Sequence, residues 1–299
     1  MPFFFMAVGL AGSGKSYLYK SEIKRIEPNC VHISSDAIRE EVFGDVNDQS
    51  HNMEVFEIMK RRTIDALLAG FSVYYDATNL SAKRRIGFLK NIEHIKGLVK
   101  VCVLNVPPFE VVKARNAGRD RVVPEEVINS MLKRFEIPHE SEGWDRILLY
   151  GNDMDMNALN DIVLNAKELS HDNPHHSASV GNHMLLAQKY VVDNSYADIR
   201  VIEAALFHDC GKPFCKVFKN ARGEESDVAH YYNHENIGAY FYISHSDKSA
   251  PRAVYIANLI QHHMDYFKGE KYLQKISDRF GEYFMRDLDV LHEGDINAH

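Results

Sequence analysis

Gly9-Leu10-Ala11-Gly12-Ser13-Gly14-Lys15-Ser16 fits G-x-x-x-x-G-K-[ST] at every defined position. The apolar run Phe3-Phe4-Phe5-Met6-Ala7-Val8 precedes it, and a helical pattern over residues 15–26 follows. A buried strand, a glycine turn and a helix in that order aim the loop amides and a helix N-terminus at one spot, which attracts phosphate. Gly12, Ser13 and Gly14 line that loop, Lys15 is placed to reach the β- and γ-phosphates of ATP or another nucleoside triphosphate, and Ser16 to ligate Mg²⁺. The apolar start has no basic flank and no small-residue cleavage site, so it reads as a first strand and not as a signal peptide.

Apolar runs at 3–8, 30–33, 71–75 and 98–106 read as strands, and the stretches 37–43, 53–69 and 82–95 and those after Pro108 and Pro124 read as helices. Strands alternating with helices predict an α/β domain, a mostly parallel sheet covered on both faces, over residues 1–150. From about Met156 the period is helical, as in 199–207 and 253–260, and predicts an all-α second domain over 156–299. The polar stretch Gly151-Asn152-Asp153-Met154-Asp155 is the expected joint. No run reaches the roughly 18 apolar residues of a membrane span. Four scattered cysteines (Cys30, Cys102, Cys210 and Cys215) form no C-x-x-C pair, which fits a reducing cytoplasm, and Cys102 sits in an apolar run that predicts core packing.

Charge is uneven. Residues 1–150 carry 21 Lys and Arg against 20 Asp and Glu, the remainder 14 against 22. That argues against a broad non-specific nucleic-acid surface and leaves room for a local groove gripping one strand end. Twelve of the 16 histidines fall in the acidic second half, the supply a metal site needs.

A phosphate loop alone does not name the acceptor. Ser34-Ser35-Asp36-Ala37-Ile38-Arg39 follows the second strand, so Asp36 falls at the carboxyl edge of the sheet, where ligands bind. There its carboxylate can take a hydroxyl proton from an acceptor, and Arg39, one turn on, can grip an acceptor phosphate. The competing reading makes Asp36 the N-cap of the helix over 37–43. Asp76, ending the third strand in Tyr74-Tyr75-Asp76-Ala77-Thr78-Asn79-Leu80, suits a Walker-B-like role. Arg115 and Arg119 share a helix face and with Arg121 form either a lid over the triphosphate or a solvated basic face.

The spacing of the glycine loop, Asp36-x-x-Arg39, Thr78-Asn79-Leu80 with Arg84-Arg85, and Arg115-Asn116-x-x-Arg119 ahead of Val123-Pro124 resembles the kinase domain of phage polynucleotide kinases, over roughly residues 4–135. The resemblance implies Asp36 as general base, Arg39 on the acceptor nucleotide's 3′ phosphate, and Arg119 on the transferring phosphoryl group. Ala37, where the family can carry an acid, the extra residue in Asp-Ala-Thr-Asn, and one residue fewer between Arg119 and Pro124 depart from the pattern and leave the roles of Asp76 and Arg121 open.

In the second half His183 is followed by His208-Asp209 after 25 residues, His234 after 26, His262-His263 after 28 and Asp295 after 33. Such intervals place about one ligand on each of several helices around a common centre. Mixed nitrogen and oxygen donors suit one or two transition metals such as Mn²⁺, Fe²⁺, Co²⁺ or Ni²⁺. The stretch from Asn173 to His183, the pair His208-Asp209 and Leu291-His292-Glu293-Gly294-Asp295 resemble the three motifs of the HD phosphohydrolase superfamily. By that resemblance His183, His208, Asp209 and Asp295 hold a first metal, and His234 with His262, bridged by Asp209, a second. His176, His263 and Lys212 would meet substrate phosphate, and Asp265 is a rival closing acid.

Kinase and HD-type halves in one chain resemble a class of RNA repair enzymes. Such a protein phosphorylates the 5′-OH of a cut strand and opens or removes a 2′,3′-cyclic or 3′ phosphate, so RNA ends, or alternatively DNA ends, and a triphosphate would be the partners, and no membrane. Two alternatives stand beside it: a nucleoside-type kinase fused to a nucleotide phosphohydrolase, and a nucleotide-sensing regulator whose phosphate loop gates the metal site.

Overall fold

The computed structural model describes residues 1–119, 121–173, 177–194 and 198–298. The chain forms two compact units, one of residues 1–124 and 142–151, the other of residues 125–141 and 152–299.

In the first unit β1 (Phe3–Val8), β2 (Val31–Ser34), β3 (Val73–Asp76), β4 (Val99–Asn105) and β5 (Arg146–Tyr150) form one sheet in the order β2-β3-β1-β4-β5. Every pairing is parallel. β1 is buried from Phe4 to Val8 and β3 along its whole length, which is why these strands read as unbroken apolar runs with no alternation. Winding changes side at β1, so the crevice opens at the carboxyl ends of β1, β2 and β3. The edge strand β5 escapes the sequence pattern because its Ile147-Leu148-Leu149 run is short and half-buried on both faces.

Around the sheet lie α1 (Lys15–Leu18), which continues through a π-helical turn at Tyr19–Ile23 into α2 (Lys24–Ile26), then α3 (Ser35–Phe43), α4 (Asn52–Leu68), α5 (Ala82–Lys90) and α6 (Phe109–Ala117). Arg85 on α5 has no exposed side chain: it meets Glu142 through two contacts of 2.7 and 2.8 Å and donates to the carbonyls of Asn79 and Leu80. The arginine named by the family pattern thus ties down the loop after β3.

The second unit comprises α7 (Glu125–Lys133), α8 (Met156–Asn165), α9 (Val180–Asn194), α10 (Ile199–Phe207), α11 (His234–His245), α12 (Ala250–His262), α13 (Glu270–Phe280) and α14 (Glu282–Ile296). α9 packs on α10 and α14, α12 on α10 and α11, and α7 on α11. The segment 125–141, which the sequence reading counts with the first half, is bound here: Gln261 donates to the Phe135 carbonyl and accepts from the Ile137 amide, and Asn236 donates to the Lys133 carbonyl.

The unit is not all-α as expected. β6 (Lys216–Lys219) and β7 (Glu225–Tyr231) form an antiparallel hairpin. Its turn closes through Asn220 Oδ1, which accepts from the amides of Arg222 and Glu224. Charged and polar residues fill half of β6 and most of β7, so the hairpin shows no period-2 apolar signal. No helix among the described residues is long and apolar enough to cross a membrane.

Candidate functional site

The loop after β1 adopts the geometry its motif demands. Gly12 and Gly14 hold φ of 83° and 97°, and Gly14 is the left-handed residue that starts α1, a conformation costly for a side chain. Lys15 Nζ folds onto its own loop, donating to the carbonyls of Leu10 (2.7 Å) and Gly9 (3.2 Å) and lying 3.5 Å from Ser13 Oγ. Burial holds its pKa below the ordinary lysine value, against the pull of Asp76 and Asp36 and with the push of Arg119. Ser16 Oγ donates to Asp76 Oδ2 at 2.7 Å, and His32 Nε2 meets the same oxygen at 2.9 Å. Burial favours neutral Asp76, but the bonds from His32 and Ser16 and the charge of Lys15 outweigh it, and its pKa falls below the usual carboxylate value. His32 is a neighbour that sequence reasoning missed. The alternation of β2 offered no hint that its side chain would meet the end of β3.

On the acceptor side the cap of α3 is Ser34, whose Oγ accepts from the Ala37 amide, so Asp36 is not the cap. Its carboxylate is 47% exposed and lies 3.5 Å from Arg39 Nη1 and 3.4 Å from Arg121 Nη1. Arg39 is buried, with Nε on the Asp48 carbonyl and Nη2 on Asn52 Oδ1 at 2.6 Å. Arg115 donates to the Ser13 carbonyl at 3.1 Å, and Arg119 is exposed. The structure therefore brings Arg115 to the phosphate loop and Arg121 to Asp36.

In the second unit four imidazoles and two carboxylates converge. His183 Nε2 lies 3.3 Å from His208 Nε2 and 2.9 Å from Asp295 Oδ1, and His208 Nε2 is 3.3 Å from Asp209 Oδ2. On the other side of the Asp209 carboxylate, His234 Nε2 is 3.2 Å from Oδ1 and 3.2 Å from His263 Nε2. Each ring is oriented by a backbone carbonyl at its Nδ1: Ala298 for His183, Ala205 for His208, Tyr231 for His234 and Ile260 for His263. A carbonyl only accepts, so each Nδ1 carries a proton and Nε2 is the ring nitrogen turned inward. Gly211 makes part of this possible, since a Cβ there would sit 2.1 Å from the His234 carbonyl; it lets the His208–Lys212 turn close on the start of α11.

Ring nitrogens facing each other at 3.2–3.3 Å repel unless a proton or a metal cation lies between them. Asp209 Oδ1 and Oδ2 are buried and accept no well-formed hydrogen bond among the described residues. The donors fit divalent cations: His183, His208, Asp209 and Asp295 would hold one, and Asp209, His234 and His263 another. The carboxylates also dominate the field: burial pushes His208 down, yet Asp209 and Asp295 raise its pKa to about 10, while burial lowers that of His263.

One ligand assignment changes. His262 does not join the cluster; its Nδ1 pairs with Asp265 at 2.6 Å, its ring lies 4.8 Å from that of Phe280, and Lys268 completes the Asp265 pair. His263, expected to meet substrate, is the ring that reaches His234 and Asp209. One residue at a helix end turns a side chain by about 100°, so an adjacent His-His pair does not reveal which ring faces in. Asp265, tied to His262, is not beside His183 and His208; Asp295 is. Lys212 Nζ lies 2.6 Å from Asp209 Oδ2. His176 falls outside the described residues. The sequence reading also passed over His171, a 1% exposed ring 3.3 Å from Lys212 Nζ.

No curated protein matches this chain. Among solved structures, a crystal structure of a fungal RNA kinase aligns with 15% identity and a TM-score of 0.34, over 55% of this chain and 44% of that one, so this chain spans less than half of that kinase. Residues 4–138 match the AAA domain family and end within the segment that joins the helical unit, so the first unit is a P-loop α/β domain similar to that family.

Proposed function

We propose that the chain transfers phosphoryl groups at two separate sites: an NTP-dependent 5′-hydroxyl polynucleotide kinase in the first unit, and a metal-dependent phosphohydrolase of HD type in the second, acting on 2′,3′-cyclic or 3′ phosphates of RNA ends. The observation that carries the kinase reading is Asp36, an exposed carboxylate at the carboxyl edge of the sheet that is not spent on capping its helix. Mg²⁺ and the triphosphate fit Ser16, Asp76, Lys15, Gly12, Ser13 and Gly14, with Arg115 and Arg119 closing over them. Asp36 takes the proton of the attacking hydroxyl, and Arg39 with Arg121 orients Asp36 and the acceptor.

The second reading rests on the four inward imidazoles around Asp209. His183, His208, Asp209 and Asp295 would hold one metal, His234 and His263 with Asp209 another. Bound metal supplies a water acidic enough to attack phosphorus at neutral pH. Lys212, beside Asp209, offers its ammonium to a phosphoryl oxygen.

Arg39 is already engaged by Asp48 and Asn52. This favours, as a second possibility, a small nucleoside acceptor needing no further phosphate grip. One experiment separates the readings. The full chain is incubated with γ-labelled ATP and a 5′-OH oligoribonucleotide, with a nucleoside, and with a 2′,3′-cyclic-phosphate oligonucleotide plus Mn²⁺, and both ends are analysed. Label on the nucleoside but not the oligonucleotide sinks the polynucleotide reading. An untouched cyclic phosphate sinks the hydrolase.

A further inference from the structure

The segment 170–172 is fastened from several directions. Lys216 on β6 donates to the Ser170 carbonyl and pairs with Asp172 Oδ2, both at 2.6 Å. Tyr231 on β7 donates its hydroxyl to the His171 carbonyl at 2.7 Å, and the Ala229 amide donates to the Asp172 carbonyl at 2.9 Å. Asp172 itself sits at φ 46°, a left-handed conformation that a non-glycine residue keeps only when its surroundings enforce it. The hairpin that the sequence pattern hid is thus the clamp for this segment, and the clamped segment points one side chain inward, His171.

His171 Nδ1 lies 2.8 Å from the Ala178 carbonyl, so it carries the proton. Nε2 then presents a lone pair toward Lys212 Nζ, 3.3 Å away. A second proton on Nε2 would face the ammonium, which excludes the charged ring from this arrangement. Lys212 is 6% exposed, lies 2.6 Å from Asp209 Oδ2 and 5.5 Å from the Tyr231 ring centroid. A lysine on a four-carbon stem is a mobile donor unless its head is held. The contact with His171 and the ion pair with Asp209 hold that head from two sides.

We propose that His171 is a positioning residue that acts through Lys212, fixing the ammonium beside the Asp209 carboxylate as the seat for a phosphoryl oxygen. The proposal rests on the phosphohydrolase reading of this site and deepens it: the ligand class is a phosphate mono- or diester, and the part given to His171 is exerted through Lys212.

The test uses the full chain loaded with Mn²⁺, as wild type, His171→Ala, His171→Gln, Lys212→Met and the His171→Ala/Lys212→Met double variant. Three quantities are read: Mn²⁺ content, affinity for inorganic phosphate by calorimetry, and kcat and KM on a 2′,3′-cyclic-phosphate oligonucleotide. His171→Ala should keep its Mn²⁺ and lose roughly tenfold to a hundredfold in phosphate affinity, the worth of one hydrogen bond to a charged group, with the loss in KM more than in kcat. His171→Gln, whose amide oxygen can accept from Lys212, should recover most of it. The double variant should be no worse than Lys212→Met alone, because residues acting as one unit are not additive.

Losses that multiply in the double variant, a glutamine as impaired as alanine, unchanged phosphate affinity in His171→Ala, or a wild type that binds no phosphate each overturn the assignment. So does loss of Mn²⁺ in His171→Ala, which would make His171 a support of the metal cluster itself. Phosphate binding that responds as expected in a chain that hydrolyses no ester would remove the hydrolase reading and leave His171 assigned. Hydrolysis with indifferent His171 variants would do the reverse.

Discussion

The phosphate loop and the histidine cluster are built on opposite plans. The first takes most of its parts from one continuous stretch, Gly9 to Ser16, and adds Asp36 and Asp76 from the neighbouring strand ends of the same sheet. The second draws on α9, α10, α11, α12 and α14 and their ends, with partners as far apart in sequence as His183 and Asp295. Backbone groups and a helix terminus do the work in the loop, so its geometry is set by local conformation. In the cluster the chemistry is carried by side chains whose rings are aimed by carbonyls, so its geometry is set by packing. The contrast predicts that the loop site fails one residue at a time, each with its own penalty, whereas the cluster fails as a whole.

The largest expected effect tests that directly. Asp209→Ala removes the carboxylate that both proposed metal positions would share, so Mn²⁺ content and phosphoesterase activity should both fall to background with 5′-phosphorylation kept. His263→Ala should lose metal as well, and His262→Ala should not. A His262→Ala protein stripped of metal, or an Asp209→Ala protein that loses kinase activity while remaining folded, would break the comparison.

Those two adjacent histidines also mark how far the sequence was legible. The loop could be read to the residue because its motif fixes conformation: glycine at φ 97°, then lysine, then serine. The cluster could be read in residue type and interval, since His183, His208, Asp209, His234 and Asp295 all converge. The choice between His262 and His263 depends on helix phase at the end of α12, which interval arithmetic does not contain. His171 and the hairpin behind it were illegible for a related reason. Neither lies on an apolar pattern, and the contacts that give them meaning run from Ser170 and Asp172 to Lys216 and Tyr231, across more than forty residues. The five-residue β5 was missed because an edge strand buries too little to impose a period.

Within the loop site, Asp36→Asn keeps the shape of the side chain and removes the carboxylate proposed as the base. With triphosphate binding preserved, kcat for 5′-phosphorylation should drop by about 10²–10⁴. A turnover near wild type would reduce Asp36 to an anchor for Arg121 and Arg39 and reopen the acceptor side.

Stability separates the two units next. Glu142→Ala leaves the Arg85 guanidinium, now with no side-chain exposure, facing an emptied carboxylate site, and breaking a buried pair from one side costs about 3–5 kcal/mol. The loss should appear in the urea transition of the first unit and not in that of the second. A loss shared equally by both would mean that they unfold as one cooperative body.

The smallest effect bears on the same few residues as the chemistry. Ser34 Oγ accepts from the Ala37 amide at 3.4 Å, a long bond for a cap, so Ser34→Ala should cost at most about 1 kcal/mol of stability in the first unit. Asp36, two residues on, is half exposed and does not cap, so Asp36→Asn should leave the melting transition where it is. The two substitutions therefore trade places: Ser34→Ala shifts the melt and keeps most of kcat, Asp36→Asn holds the melt and removes kcat. A cap and a proposed base two residues apart can be told apart only this way, because both are short polar side chains at the start of one helix. If Asp36→Asn melts lower and Ser34→Ala does not, the cap and the base have been exchanged, and the carboxylate at the edge of β2 is there for the fold.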